Sequence, residues 1–226
     1  MFKLMRLEWK KLKQLSVISE VIIYWLILMF MPLFLIKIAM PVLGQNYAAA
    51  IEHLNLNIQM GFILFGGSLI SQVFIDEYKN KTISLAFGYP ISRKKLSMAK
   101  VLFISLFVFL AAMISFILTG LTTYLLDQVF PFINGQPTNS DMITFLSSMI
   151  SGSLIITLIS FIPLFLFGIL KRGTISTVIC SILIMNLPKL SYFINFDQEF
   201  ILAVMCILGA LSIYLSIKTA ESVGEI

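Results

Sequence analysis

Six apolar runs dominate the chain, and most of them have the length that a helix needs to cross a bilayer. They cover residues 21–42, 58–75, 101–126, 142–170, 174–187 and 200–217, against about 20 residues for a spanning helix. Hydrophobic residues make up 59% of the 226 residues, charged residues 12%, and the mean hydropathy is +0.98. A water-soluble domain cannot bury so much apolar surface, whereas lipid solvates it directly. The composition therefore predicts an integral membrane protein.

The runs predict an all-α integral membrane fold with six transmembrane helices, although two of them are irregular. The fourth run is overlong and contains Gly152 and Pro163, which predict a kink or an interfacial start. The fifth is short, and Pro188 is expected to end it before the polar stretch 189–199. At this length, residues 1–226 form one membrane domain with no room for a separate catalytic domain.

The basic residues predict the orientation of the chain. With the N-terminus inside, 14 of the 16 Lys and Arg residues fall in cytoplasmic segments. Only Lys37 and Lys189 remain near the opposite ends of their spans, where a long side chain can reach towards the interface. Because Lys and Arg concentrate on the cytoplasmic side, we expect a multi-pass protein with both termini in the cytoplasm. The net charge of +5 then indicates contact with anionic lipid, and we expect no nucleic-acid partner.

Residues 1–19 predict an amphipathic helix that lies flat in the inner membrane interface. Apolar side chains recur at helical spacing on one face and basic side chains on the other; the two sets are Phe2, Met5, Trp9 and Leu12, and Lys3, Arg6, Lys10 and Lys13. Glu8 lies close to the apolar arc. It indicates either a contact with a cytoplasmic partner or a local ion pair with Lys11.

Residues 76–97 form a charged segment between the second and third runs. The pattern predicts a cytoplasmic helix over 76–87, with Asp76 and Glu77 near its start, where acids suit the helix dipole. Gly88 and Pro90 are expected to end it before a basic restart. A short helix held out of the membrane between two spans is a lever, because whatever binds it moves both spans.

Residues typical of catalysis or metal binding are sparse. The lone histidine, His53, falls in a predicted loop, and Cys180 and Cys206 fall within apolar runs. Gly168 to Thr174 has the glycine spacing of a phosphate-binding loop but lacks its lysine before Thr174. We therefore predict no catalytic residue, no metal site and no cofactor in this chain.

At the charged segment the chain resembles the type-2 ATP-binding-cassette (ABC) permeases. The family pattern is an acid after the second span, Gly-Thr, hydrophobic residues, Pro-hydrophobic-Ser-Arg, and a Lys entering the third span. The matching residues are Glu77, Thr82, Leu85, Pro90, Ile91, Ser92, Arg93 and Lys100, and Lys81 stands where Gly is usual. The topology of amphipathic helix, six spans and charged loop agrees with the same family along the whole chain.

The resemblance implies a single permease domain over residues 1–226 in a bacterial plasma membrane, with 76–97 as the coupling loop. The implied ATPase-binding residues are Glu77, Lys81, Thr82, Leu85, Phe87, Pro90, Ser92 and Arg93, and the interfacial helix presents Phe2, Met5, Glu8 and Trp9. Cytosolic ABC ATPase subunits would supply ATP and Mg²⁺ chemistry in trans. The other implied partners are membrane lipid and a second permease, either another copy or a relative.

Small permeases with this loop resemble those of antimicrobial-peptide immunity and peptide-export systems in Gram-positive bacteria. That resemblance implies export of an amphipathic peptide, an antibiotic or a lipid-like cargo, while sodium or another small molecule stays open. The alternative from a different class is a non-transporting assembly or signalling subunit, whose charged loop only recruits a cytosolic partner.

Overall fold

The computed structural model describes residues 1–43, 46–79, 92–130, 133, 135–171, 173–194 and 197–222. These residues form helices joined by turns. In chain order they are α1 (Phe2–Lys11), α2 (Gln14–Leu43), α3 (Tyr47–Ile70), α4 (Asp76–Lys79), α5 (Arg93–Val129), α6 (Asn139–Ser160), α7 (Thr174–Ile194) and α8 (Gln198–Ser222). Two π-helical segments, Ser71–Ile75 and Leu164–Leu170, follow α3 and the break after α6.

Four stretches of the described residues are long and apolar enough to cross a membrane. They are Tyr47–Ile75, Arg93–Val129, Asn139–Leu170 and Gln198–Thr219. Phe2–Lys11 and Gln14–Phe30 add a fifth if this pair, bent by 89°, is counted as one span, and Thr174–Pro188 is a shorter apolar helix. The all-helical membrane fold is thus confirmed, while the count of six spans stays a prediction.

Helix α3 lies at the centre of the bundle, in contact with α2, α5, α6 and α7. Of its most apolar stretch, 67% is buried inside the protein, against 22% for α8. Its aromatic rings Phe62 and Phe65 are fully buried and meet edge to face, with ring centroids 5.9 Å apart. Since lipid is as apolar as these side chains, close packing is what distinguishes the centre of the bundle from its periphery.

Helices α6 and α8 approach each other closely at Gly209. A Cβ atom built on this glycine would lie only 2.0 Å from the backbone oxygen of Leu158. Helices in membranes associate largely through such close backbone approaches, which only small residues permit. Gly209 therefore sets the distance between these two helices.

The fourth apolar run breaks where its proline predicts. Helix α6 ends at Ser160, and the π-helical segment begins just after Pro163, which has no N–H to donate. The Ser212 hydroxyl on α8 donates to the Ile162 carbonyl at 3.2 Å and accepts from the Phe165 N–H at 3.0 Å. One side chain thus satisfies two backbone groups at the break, which would be costly to leave unpaired in an apolar setting.

The fifth run does not end at its proline, and this prediction is wrong. Helix α7 continues from Thr174 through Pro188 to Ile194. A proline removes one backbone hydrogen bond from the preceding turn. Because Pro188 lies only six residues before the end of α7, most of the helix precedes the lost bond and is unaffected by it.

Candidate functional site

Glu77 ties together three helical elements that are distant in the sequence. Its Oε1 atom lies 3.2 Å from Lys11 Nζ at the end of α1, and its Oε2 atom lies 2.5 Å from Lys100 Nζ on α5. Lys11 Nζ also lies 2.9 Å from Glu8 Oε1. We call Glu8, Lys11, Glu77 and Lys100 the charged junction. It lies at the base of the predicted coupling segment, where α3 and its π-helical extension pass into α4.

Lys100 is the most deeply buried cation of the charged junction, with 3% of its surface exposed. Besides Glu77, its ammonium group donates to the Val73 carbonyl at 2.9 Å and lies 5.1 Å from the centre of the Phe74 ring. A buried ammonium group is costly unless it is paired and hydrogen-bonded. Glu77 and the π-helical segment together provide that environment, so Lys100 fastens the start of α5 to the end of α3.

Lys11 joins α1 to the same carboxylate. Its partial burial lowers the pKa of the ammonium group, but hydrogen bonds and charges from Glu8 and Glu77 outweigh that effect and raise the pKa above 10.5. Lys11 therefore stays charged at neutral pH. Glu8, only 3% exposed, pairs with Lys11 on its own helix. Of the two interpretations of Glu8, the structure shows the local ion pair.

Helix α1 packs on α5 through an aromatic cluster. The Trp9 ring stacks on Phe107 with centroids 5.5 Å apart and lies 6.2 Å from Phe103. Met5 packs against the same core, whereas Phe2 is 83% exposed. The predicted apolar arc thus divides into a protein-facing part and an outward part. The 89° bend after α1 directs this helix across the start of α2, a geometry that suits the predicted interfacial placement.

A second polar contact accompanies the charged junction and was not foreseen from the sequence. Gln72 Nε2 donates to Glu20 Oε2 at 2.9 Å and to Ser68 Oγ at 3.2 Å, which joins α2 to the π-helical segment after α3. The available signal was a carboxylate at the start of one apolar run and an amide near the end of the next. Nothing local to either residue indicates that the two helices meet there.

Three of the predicted ATPase-binding residues belong to the part of the chain that the structure describes, and the other five do not. Glu77 belongs to α4 and to the charged junction; Ser92 is the N-cap residue of α5 and Arg93 its first residue. Lys81, Thr82, Leu85, Phe87 and Pro90 lie outside the described residues. The described part of the predicted 76–87 helix, Asp76–Lys79, is helical and continues α3 through the π-helical segment.

The charged junction holds two acids and two lysines, and this composition favours an electrostatic clamp over a metal or catalytic site. Among the residues that the structure describes, no group of three His, Cys, Asp or Glu side chains could hold a metal ion. Each charge in the junction faces an opposite charge. The arrangement can hold helices together and transmit a displacement between them.

Comparisons with known proteins agree with this architecture. A family model described as "ABC-2 family transporter protein" matches residues 4–188, which include the charged junction. "Uncharacterized protein YcbO" of Bacillus subtilis (strain 168) is 36% identical over 126 residues, which is 56% of this chain and 55% of that protein. The match thus spans about half the length of this curated relative. No solved structure matches the chain. The family match covers most of the chain and confirms the predicted resemblance: the chain belongs to the ABC-2 family of transporter proteins.

Proposed function

We propose that this chain is the permease subunit of an ATP-driven exporter in a bacterial plasma membrane, coupled to a separate cytosolic ABC ATPase through segment 76–97. The family match supports a permease of this kind. The observation that carries the coupling proposal is the position of Glu77. It binds Lys11 and Lys100 at the start of the segment, in the short helix α4.

Through the charged junction, a movement of the coupling segment reaches several spans at once. Lys100 lies near the start of the long helix α5, and Lys11 belongs to α1, whose Trp9 packs on the same helix. Packed helices and buried ion pairs move as rigid units between discrete arrangements. An ATPase that displaces the segment would therefore displace α3, α5 and α1 together. This is the mechanical link that an exporter needs between nucleotide hydrolysis and its membrane path.

The charges around the junction support a cytoplasmic location for this end of the bundle. Lys3, Arg6 and Lys10 on α1 and Lys94 and Lys95 on α5 are exposed, so this end presents a basic surface. Such a surface is attracted to the anionic inner leaflet and is typical of cytoplasmic segments. Both termini then lie in the cytoplasm, beside the ATPase.

The proposed transporter is completed by a second permease, either another copy or a relative, and by ATPase subunits that bind ATP and Mg²⁺. The proposed cargo is an amphipathic peptide, an antibiotic or a lipid-like molecule. Its support is the resemblance to small immunity and peptide-export permeases. The rival is a membrane subunit that recruits a cytosolic partner without transport. An adjacent gene for an ABC ATPase would favour the exporter, and the absence of one would favour the rival.

The decisive experiment reconstitutes the chain with that ATPase in proteoliposomes and follows assembly, ATP hydrolysis and ATP-dependent movement of a dye-labelled amphipathic peptide. We expect Leu85→Asp to weaken assembly, because it places a charge among the apolar side chains through which the segment is proposed to bind the ATPase. Glu77→Gln should leave assembly intact but uncouple hydrolysis from transport. Glu52→Gln is the matched control, since Glu52 is an exposed carboxylate near the other end of α3.

Wild-type assembly, hydrolysis and transport in both test variants would show that the segment is not the coupling element. Assembly and hydrolysis without any ATP-dependent movement of the peptide would favour the recruiting subunit instead.

A further inference from the structure

A large cleft opens at the end of the bundle opposite the charged junction. It lies between the first turns of α3, the last turns of α5 and the first turns of α6, and its volume is about 1050 Å³. Sites for small ligands span about 300–1,000 Å³. Lys100 and Asp127 stand 27 residues apart on the continuous helix α5, about 40 Å at 1.5 Å per residue. Since the hydrocarbon core is about 30 Å thick, the cleft and the charged junction lie near opposite surfaces of the bilayer.

Most of the cleft wall is apolar. Helix α5 contributes Ile117 and Leu121, and α6 contributes Phe145, Leu146 and Met149. The Phe145 ring lies directly over Gly120, where a Cβ atom would be 2.5 Å from ring atom Cζ. The missing side chain at Gly120 therefore lets the ring lie against α5. These surfaces suit a hydrocarbon chain.

One end of the cleft is acidic and aromatic. Asp127, Asp141, Tyr47 and Tyr124 all line it, and none of the described lining residues is Lys, Arg or His. Asp141 accepts hydrogen bonds from the Thr138 backbone N–H at 2.9 Å and from its hydroxyl at 2.6 Å. These neutral donors orient the carboxylate without cancelling its charge. Tyr47 Oη and the Ile133 N–H, at 2.9 Å from Oδ1, likewise orient Asp127.

Carboxylates beside tyrosine rings are the groups that attract an ammonium ion, through opposite charge and through the negative faces of the rings. We propose that the cleft binds a small cationic amphiphile, with its ammonium head group between Asp127, Asp141 and the tyrosines and its apolar chain along α5 and α6. The binding step rests on the cleft alone. Only its role, as a cargo site on the outer side of the membrane, rests on the proposed export function.

Charge complementarity separates this occupant from two others. The phosphate of a phospholipid placed at the same end would face the carboxylates and be repelled. A second copy of this chain, related by a two-fold axis, would bring the same acidic end against itself, because a two-fold interface pairs a patch with its own equivalent. A cation with an apolar tail complements both the acidic end of the cleft, through its charge, and the apolar wall, through its tail.

The test uses the full chain in nanodiscs without any ATPase, and a dodecyltrimethylammonium probe that carries a photoreactive diazirine in its tail. A dodecyl sulfate probe with the same tail is the matched anionic control. We expect saturable labelling of residues 117–128 and 141–149 by the cationic probe, competed by unlabelled dodecyltrimethylammonium. The anionic probe should label these residues weakly and without saturation.

Three variants connect the labelling to the cleft. Leu121→Trp should abolish saturable labelling by filling the apolar wall, without touching the acidic end. Asp141→Asn should weaken the apparent affinity about tenfold through loss of one charge contact, and adding Asp127→Asn should weaken it further. Asn retains an oxygen that accepts from Thr138, so the turn before α6 is preserved. Glu52→Gln, an exposed acid of α3 that does not line the cleft, should bind as wild type.

Equal labelling by both probes would identify a site for lipid chains and overturn the proposal, as would unchanged labelling in Leu121→Trp or Asp141→Asn. Disulfide formation between two copies carrying Met142→Cys, in a background lacking Cys180 and Cys206, would identify a second copy as the occupant if it displaces the probe. Because no ATPase is present, failure here leaves the coupling proposal intact. Conversely, failure of the Glu77 experiment leaves the binding result standing.

Discussion

Removal of the Glu77 carboxylate should destabilise the protein mainly through Lys100. Glu77→Gln keeps the shape of the side chain and a hydrogen-bond acceptor, but it removes the negative charge that pairs with the Lys100 ammonium group, whose side chain is only 4% exposed. Breaking a buried ion pair by removing one partner costs about 3–5 kcal/mol. We expect the lower end, about 3 kcal/mol, because the Glu77 side chain is 14% exposed and water reaches the site.

Two further variants separate the buried pair from the outer one. Lys11→Met should cost less than about 1 kcal/mol, because its side chain is 44% exposed and exposed pairs contribute little. Adding Lys100→Met to Glu77→Gln removes the stranded charge and should recover about 2 kcal/mol of the loss. That recovery is within the range of about 0.5–3 kcal/mol for residues in direct contact.

The assay is reversible unfolding of the purified protein in mixed micelles by titration with dodecyl sulfate. Helical circular dichroism and tryptophan fluorescence serve as two probes, because Trp9 packs directly on Phe103 and Phe107 and Trp25 donates to the Ala111 carbonyl. Coincident transitions of the two probes establish that one free energy of unfolding describes each variant. The control is Glu52→Gln, which should match wild type. The reasoning fails if Glu77→Gln costs no more than Lys11→Met. It also fails if the double variant loses as much stability as the single variants Glu77→Gln and Lys100→Met lose together.

Three other predictions follow from the packing and the charges. Ser212→Ala should lower the free energy of unfolding by about 1–3 kcal/mol, because two backbone groups at the α6 break lose their partner; Ser212→Thr, which keeps the hydroxyl, should lose less in the same titration. Gly209→Ala should cost about 1–3 kcal/mol or more, since its Cβ would lie 2.0 Å from a backbone oxygen, whereas Gly168→Ala should be tolerated because its contacts begin at 3.4 Å. A single cysteine at Lys94 should react with an impermeant maleimide only after cell lysis, and one at Gln136 in intact cells; the reverse pattern would contradict the predicted orientation.

The membrane class and the elements of this fold follow from properties that act over a few residues. Apolar runs of spanning length require helices, because only a helix satisfies its own backbone hydrogen bonds in lipid. The fourth run breaks beside Pro163, which has no N–H to donate to the preceding turn. The acids and lysines of segment 76–97 likewise reveal the family. Pro188 shows the limit of such reasoning, since α7 continues through it.

The contacts of the site depend on how whole helices pack, and no local pattern contains that information. Glu77 meets Lys11 across 66 residues and Lys100 across 23, and these meetings depend on the rotation and register of three helices. The sequence alone also left Glu8 between two interpretations, and its 2.9 Å contact with Lys11 decided between them. The acidic cleft is assembled from α3, α5, α6 and the turn before α6. Residue chemistry determined that this chain is a membrane protein with a charged segment between two apolar runs. Tertiary packing alone decided which charges meet, because helix rotation and register arise from many weak contacts summed over the bundle.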